Sequence, residues 1–237
     1  MKRLEKIYEG KAKIIYSTED PNLVIQYFKD DASAFNGIKK GTIVDKGVIN
    51  NQFSTKIFKF LEAEGVSTHF VEQLSDREML VKKLEIIPIE VVLRNIAAGS
   101  LSKKLGIEEG RSLEPPILEF FYKDDPLGDP MINEYHIDTF KWATKEQVES
   151  LKTSGLKINR LLSDFLRDRK ILLVDFKLEF GVYQDDSILL GDEISPDGCR
   201  FWHWDTHEKM DKDRFRFGLG NVEEKYQEVY RMVCKED

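Results

Sequence analysis

Apolar and polar positions alternate in several short stretches of this 237-residue chain, and the period of each alternation points to an element. Near the N-terminus, KAKIIYST and LVIQYFK flank the turn-rich EDPN and predict a hairpin. A helix follows over DKGVINNQFSTKIFKFLEAEG, where Ile49, Phe53, Ile57 and Phe60 or Leu61 recur at helical spacing. Asp45 stands at its N-cap and Gly65 at its stop. Strands return in HFVEQL, then in MLVKKLEII and IEVVLRNIA, one on either side of Pro88. Residues 106 to 135, rich in Gly, Pro and Asp, read as a long loop interrupted by the apolar ILEFFY, and loops of that length are often functional. Thr144 and Gln147 match a capping box before a helix running to Arg169. LLVDFKLEFGVY and ILLGDEI, separated by QDDS, predict a second hairpin. Val222, Tyr226, Val229, Tyr230 and Val233 form the stripe of a last helix. Strands cluster in hairpins and do not alternate with helices, so the expected fold class is α+β with mostly antiparallel sheets.

Composition narrows the partners. With 41% hydrophobic residues the chain can bury a sizeable core, as one large domain or two intimate lobes. Cys199 and Cys234 are the only cysteines, too few for a disulfide framework or a four-cysteine zinc site, which favours a reducing compartment. The start MKRLEKIYEGK has no apolar core segment, and no run of eighteen apolar residues occurs, so the expectation is a cytoplasmic protein without a membrane partner. A net charge of -7 argues against nucleic acid, whose non-specific affinity comes from many Lys and Arg on phosphates. Small phosphorylated ligands need only a few local cations.

The candidate chemistry starts at LLVDFKLEFG, residues 172 to 181. In a strand, Asp175, Lys177 and Glu179 share one face, and Val174, Phe176, Leu178 and Phe180 share the other. Antiparallel pairing in the hairpin would bring Glu179 near Asp192, and two carboxylates on rigid strands suit Mg²⁺, a hard ion that takes oxygen ligands. Lys177 beside them favours their ionised form. A solvated face with cross-strand ion pairs explains the same pattern about equally well. Lys11 and Lys13, after Gly10 in YEGKAKIIY, would share a strand face and could hold a polyphosphate, although two solvated lysines on an exposed hairpin are the simpler reading of that spacing. Neither GxxxxGKS/T nor GxGxxG occurs, so any nucleotide site is built another way. Arg94 and Ser100 flank AAG; Ser100 would cap a helix at SLSKKLG, whose free N–H groups suit phosphate, or serve as an ordinary cap. His203 and His207 in HWDTH have the i, i+4 spacing of a metal pair but lack an intervening Glu and a third ligand. The run EKMDKDRFR reads as a solvated charged face.

IIPIEVVLRNIAAGS and LLVDFKLEFG closely resemble the two signature segments of the phosphoribosylaminoimidazole-succinocarboxamide synthase (SAICAR synthetase) family. YEGKAK, SDREMLVKKLE, LGDEISPDG and MDKDRFR are similar to that family too, in the same order, so the resemblance covers essentially the whole chain. It implies an ATP-dependent carbon–nitrogen ligase of purine biosynthesis. Such an enzyme joins L-aspartate to the carboxylate of CAIR, a phosphorylated aminoimidazole ribonucleotide, through an acyl phosphate, giving SAICAR, ADP and phosphate. The implied fold is ATP-grasp-like, with a smaller N-terminal sheet lobe, 1–83, for the nucleotide and a larger lobe, 84–237, carrying the CAIR and magnesium sites.

Carried over onto matching positions, the resemblance puts Lys11, Ala12 and Lys13 at the ATP phosphates and Val81, Lys82 and Leu84 around adenine. Glu179 and Asp192 become Mg²⁺ ligands with Glu90 as an acidic neighbour, and Lys177, Glu179 and Asp192 become the catalytic set. Arg94, Ser100, Asp175, Lys177 and Arg200 are implied for CAIR, and Lys212 and Arg214 for substrate carboxylates. A homo-oligomer is also implied. A binding module without chemistry and a small-molecule kinase are the alternatives; the intact set of Lys11, Lys13, Lys177, Glu179 and Asp192 favours the ligase. One departure is local: many relatives carry Asp after the Trp of the RxW segment, where this chain has His203 after Trp202.

Overall fold

The computed structural model describes residues 1–34, 37–184 and 186–235. The predicted first hairpin forms from β2 (Lys13–Ser17) and β3 (Leu23–Phe28), with β1 (Lys6–Glu9) on its outer edge. A separate ribbon, β4 (Asp31–Ala34) and β5 (Lys39–Thr42), leads into α1 (Lys46–Ala63). Strands β6 (Phe70–Gln73) and β7 (Glu78–Lys82) then complete an antiparallel sheet of order β1-β2-β3-β7-β6. Helix α1 lies over this sheet, burying Phe53, Ile57, Phe58 and Leu61 in one core with Val24, Phe28, Met79 and Val81.

The start of α1 corrects one expectation. Asp45 occupies the N-cap position in the left-handed region, φ 60°, and its side chain makes no capping bond. The Gly47 N–H donates instead to Asp30 at 2.9 Å, and Arg77 grips the same carboxylate at 2.7 and 2.9 Å. A Cβ on Gly47 would stand 2.4 Å from the Phe28 carbonyl oxygen. The helix start is thus pressed against the end of β3, which puts Asp30 within reach. Gly65, at φ 71°, lies just beyond the helix as expected.

The second sheet is built around β8 (Glu85–Ile96). The chain continues through α2 (Gly99–Leu105), β9 (Ser112–Tyr122), β10 (Met131–Ile132), α3 (Glu134–Phe140) and α4 (Lys145–Arg167). It closes with β11 (Ile171–Val182), β12 (Ile188–Leu190), β13 (Cys199–His203), α5 (Asp213–Phe217) and α6 (Val222–Cys234). The strand order is β10-β9-β8-β11-β12, with β13 pairing the first half of β11. The Thr144–Gln147 capping box opens α4, which buries Leu151, Ile158 and Leu162. The predicted stripe of α6 buries Tyr226, Val229 and Val233.

Four further expectations change. The strand break falls between Lys82 and Glu85, where the chain passes from one sheet to the other, and β8 runs straight through Pro88. Proline is tolerated because the β8–β11 register skips there: Glu90 faces Glu179 and Ile86 faces Gly181. The presumed loop of residues 106 to 135 contains the eleven-residue β9, whose Pro115 and Pro116 sit where its register against β8 jumps from Ile117 to Ser112. Ala98, not Ser100, is the N-cap residue of α2, and it makes no side-chain cap bond. Finally, a register shift between Leu173 and Asp175 breaks the alternation of β11. Phe176, Leu178 and Phe180 enter the main core, whereas Val174 packs on the other side against Ala98 and Trp202.

Candidate active site

The polar face of β11 stands over the seam between the sheets. A cavity of about 830 Å³ opens there, lined by Lys11, Ala12 and Lys13 from one wall, Val81, Lys82 and Leu84 from another, and Glu90, Lys177, Glu179 and Asp192 from the second sheet. Lys212 also lines it. Beside it lies a recess of about 140 Å³ formed by Arg94, Asp175, Lys177 and Arg200. Lys177, Asp197, Gly198 and Arg216 are walls of both spaces.

Register explains the carboxylate cluster. Glu90 on β8 faces Glu179 on β11, and both are buried. Lys177 Nζ donates to Glu90 at 2.6 Å and Glu179 at 2.9 Å, and Lys123 donates to Glu179 at 2.8 Å. Burial pushes the Glu90 carboxyl up against the opposing pull of Lys177. Burial would lower Lys177, but the charges of Glu179, Glu90 and Asp192 outweigh it and hold the ammonium well above its ordinary range. The predicted hairpin does bring Asp192 alongside, since the Gly191 N–H donates to the Glu179 carbonyl at 2.8 Å. Lys13 donates to Asp192 and reaches Glu193 at 3.2 Å. Burial raises Asp192, yet Lys13 and Lys177 overcome it and keep the carboxylate well below the usual range. Lys11 lies in the turn before β2, not on the strand face with Lys13, and pairs with Asp125 at 2.8 Å.

The recess is an arginine–carboxylate lattice. Asp175 accepts from Arg94 at 2.7 Å and from Arg200 at 2.7 and 2.9 Å, so its carboxylate orients both guanidinium groups. Arg94 also binds Glu119 at 2.7 Å and donates to the Ser100 hydroxyl at 3.3 Å. Gly99 is required here: its φ is 58°, and a Cβ would meet Arg200 Nη2 at 2.6 Å.

Not every expected residue reaches the site. Arg214 lines neither space and is buried, donating to Glu208 at 3.0 Å and to the Gly220, Lys209 and Leu219 carbonyls. Arg216, which sequence reasoning passed over, takes its place on both walls. Two residues apart on α5, they point in nearly opposite directions, so only one faces the cavity. The surrounding charged run is no solvated face either, since Met210, Asp211, Asp213 and Arg214 are all buried. Lys123, Asp129, His69, Glu193 and Asp197 are cavity residues also missed. Only the register of β8 against β9 and β11 puts Lys123 beside Glu179, and no local motif marks it. His203 ends β13 and His207 follows the turn at 204–206; His203 Nδ1 accepts from the Asp205 N–H at 3.3 Å. They share no helix face, and among the described residues no group of three His, Cys, Asp or Glu side chains is arranged for a metal.

The fold matches that of the phosphoribosylaminoimidazole-succinocarboxamide synthase crystal structure from Ehrlichia chaffeensis, with TM-score 0.96 and 49% identity over 98% of this chain and 100% of that one. A SAICAR synthetase in complex with ADP matches with TM-score 0.94 and 45% identity over 97% and 98% of the two chains. Together with the lysine-lined cavity and its arginine-lined neighbour, these matches define an ATP-grasp-like enzyme of the ATP-using ligase class. The SAICAR synthetase family model matches residues 6–233, and a Thermoanaerobacter sp. (strain X514) protein named phosphoribosylaminoimidazole-succinocarboxamide synthase is 56% identical over 233 residues, 98% of this chain and 99% of its own. The chain belongs to the SAICAR synthetase family.

Proposed function

We infer that this protein is an ATP-dependent carbon–nitrogen ligase that joins L-aspartate to the carboxylate of CAIR, giving SAICAR, ADP and phosphate. The observation that carries this reading is the shared wall. Lys177, Asp197, Gly198 and Arg216 border both the nucleotide-sized cavity and the arginine recess, so a phosphate in one and a carboxylate in the other meet at Lys177. A carboxylate is a poor electrophile. Its oxygen attacks the terminal phosphorus of ATP, ADP leaves, and the acyl phosphate offers a good leaving group. The aspartate amine then attacks the carbonyl carbon, phosphate departs, and the amine proton is lost. Most of the catalytic effect is positioning and charge stabilisation.

In this reading Lys11, Ala12 and Lys13 hold phosphates and Val81, Lys82 and Leu84 border the adenine. Arg94 and Arg200 hold CAIR while Asp175 aims the two arginines, Ser100, which lines neither space, acts through Arg94, and Lys177 steadies the reacting oxygens. Residues 1–83 contribute mainly to the nucleotide and residues 84–237 to CAIR. Mg²⁺ fits the donor set: Glu179 and Asp192 face the same cavity, and Mg²⁺ commonly takes one or two protein carboxylates with phosphates and waters completing its shell. When bound by them it would neutralise phosphate charge. Glu90, tied to Lys177, serves as the neighbouring acid. Assembly as a homo-oligomer and a cytoplasmic location belong to the same reading; among the described residues no helix is long and apolar enough to cross a membrane.

The decisive assay measures ADP release with Mg²⁺-ATP, CAIR and L-aspartate, omitting each in turn. Release that requires all three, with SAICAR formed, is expected. Release unaffected by omitting aspartate points to a kinase or ATPase, and ADP binding without turnover points to a regulatory module.

A further inference from the structure

Asp197 lies at the junction of the two spaces, and its contacts extend to residues that line neither. Its carboxylate accepts from Lys46 at 3.0 Å, Lys212 at 3.1 Å and the Tyr226 hydroxyl at 2.9 Å. Lys46 and Tyr226 are wholly buried and border neither cavity, whereas Lys212 does line the larger one. The loop backbone is already held by other bonds: the Asp197 N–H donates to Ser195 at 3.1 Å, the Lys212 N–H to the Pro196 carbonyl at 3.1 Å, and the Lys177 N–H to the Gly198 carbonyl at 3.2 Å. Lys46 and Tyr226 therefore act on the carboxylate itself.

Lys46 is a costly residue to keep for packing alone. A fully buried ammonium needs compensation that an apolar chain of similar volume would not. It is also the first residue of α1, where the helix dipole disfavours a cation. Its charge serves something outside the helix. One carboxylate stands between two ammonium groups, which leaves one positive charge in excess. Because Lys46 is inaccessible, that excess is expressed at Lys212. Without Lys46, Lys212 alone would neutralise Asp197 and the excess would vanish.

We propose that Lys46 and Tyr226 are positioning residues that act through Asp197 to keep Lys212 as an uncompensated cation on the cavity wall, where it receives the dicarboxylate substrate L-aspartate. The choice of substrate rests on the function inferred above, in which the nucleotide phosphates have Lys11 and Lys13 and CAIR has Arg94 and Arg200. Lys212 is among the wall cations left for the third anion, with Arg216 and Lys123.

The test is steady-state kinetics of the full chain carrying Tyr226→Phe, Lys46→Met and Lys212→Met, singly and in pairs. Tyr226→Phe is nearly isosteric and remains informative should Lys46→Met fail to fold. The expected result is a KM for L-aspartate raised about tenfold by Tyr226→Phe, the effect of losing one hydrogen bond to a charged group. Lys46→Met should raise it at least as much, with KM for ATP and kcat changed less than about threefold, too little to represent a lost charged contact. In the Lys212→Met background, neither change should raise the aspartate KM further, because its route is gone. An unchanged aspartate KM in folded Tyr226→Phe overturns the proposal, as does a rise that persists without Lys212 or one shared equally by all substrates. Wild-type turnover that does not require aspartate overturns the functional reading and the proposal together.

Discussion

Glu179 illustrates how far one side chain's role follows from its position. It sits on the polar face of β11, opposite Glu90, and accepts from Lys177 and Lys123 while lining the nucleotide-sized cavity. Glu179→Gln keeps the volume and removes the charge. It should reduce turnover on the order of 100-fold through weakened metal support, with an increased magnesium requirement; near-normal activity at unchanged magnesium dependence would remove Glu179 from the ligand set. Asp211 gives a pH signature instead. It is fully buried next to Asp213 and accepts from the Phe201 and Asp213 N–H groups at 2.8 and 2.7 Å. Burial, then the Asp213 charge, pushes its carboxyl up from 3.8 to about 7. Between those values the folded state holds a proton that the unfolded state has lost. Stability contributed by this group is therefore complete below pH 3.8 and is lost as pH rises through 7, by at most about 1.4 kcal/mol per pH unit. Urea unfolding of Asp211→Asn, compared with wild type between pH 5 and 8, should lack that downward slope whatever its absolute stability. An identical slope would show that Asp211 is ionised throughout.

At the level of elements, the sequence marks faces better than it marks their interruptions. The two-residue period at Asp175, Lys177 and Glu179 reads directly as a polar strand face, and the helical stripe of α6 reads equally directly. The shift that turns Val174 to the opposite side leaves no trace in composition, because every residue of LLVDF except Asp175 is apolar either way. Strand β9 is obscured for another reason: Pro115 and Pro116 signal a break locally, and only the register jump against β8 accommodates them. The α1 cap failed for a related cause. Asp45 has the right type and place, but the long-range neighbour Asp30 wins the Gly47 N–H. Asp30→Ala should therefore cost about 1 to 2 kcal/mol in denaturant unfolding, a lost cap together with the Arg77 pair. Asp45→Gly should be neutral or stabilising by up to about 1 kcal/mol, since glycine suits φ 60° and no cap bond is lost. The opposite ranking would restore Asp45 as the cap.

For the whole molecule, the consequential fact is that the core does not respect the change of sheet at residues 83 and 84. Phe53, Leu61 and Val81 from the first part share one apolar cluster with Ile89, Leu162, Phe180 and Val233 from the second. Lys46 reaches Asp197 and Lys13 reaches Asp192 across the same division. The resemblance divides the chain by expected ligand, nucleotide at residues 1–83 and CAIR at 84–237, yet the main core is shared by both parts. The candidate site was legible where its polar face lies in one segment, as from Lys177 to Glu179. It was hidden where it depends on pairing between distant segments, as at Lys123 and Arg216. A continuous core predicts that calorimetry will show one cooperative unfolding transition, with calorimetric and van't Hoff enthalpies in agreement. ADP bridges both parts in the proposed binding mode, so at 100 times its Kd it should stabilise the folded state by about 2.7 kcal/mol. For a chain of this length that shifts Tm by roughly 5 to 10 °C, with the transition still single. Two resolved transitions, with only the one arising from residues 1–83 moved by ADP, would show instead that the parts fold separately and that the nucleotide is held by the first alone.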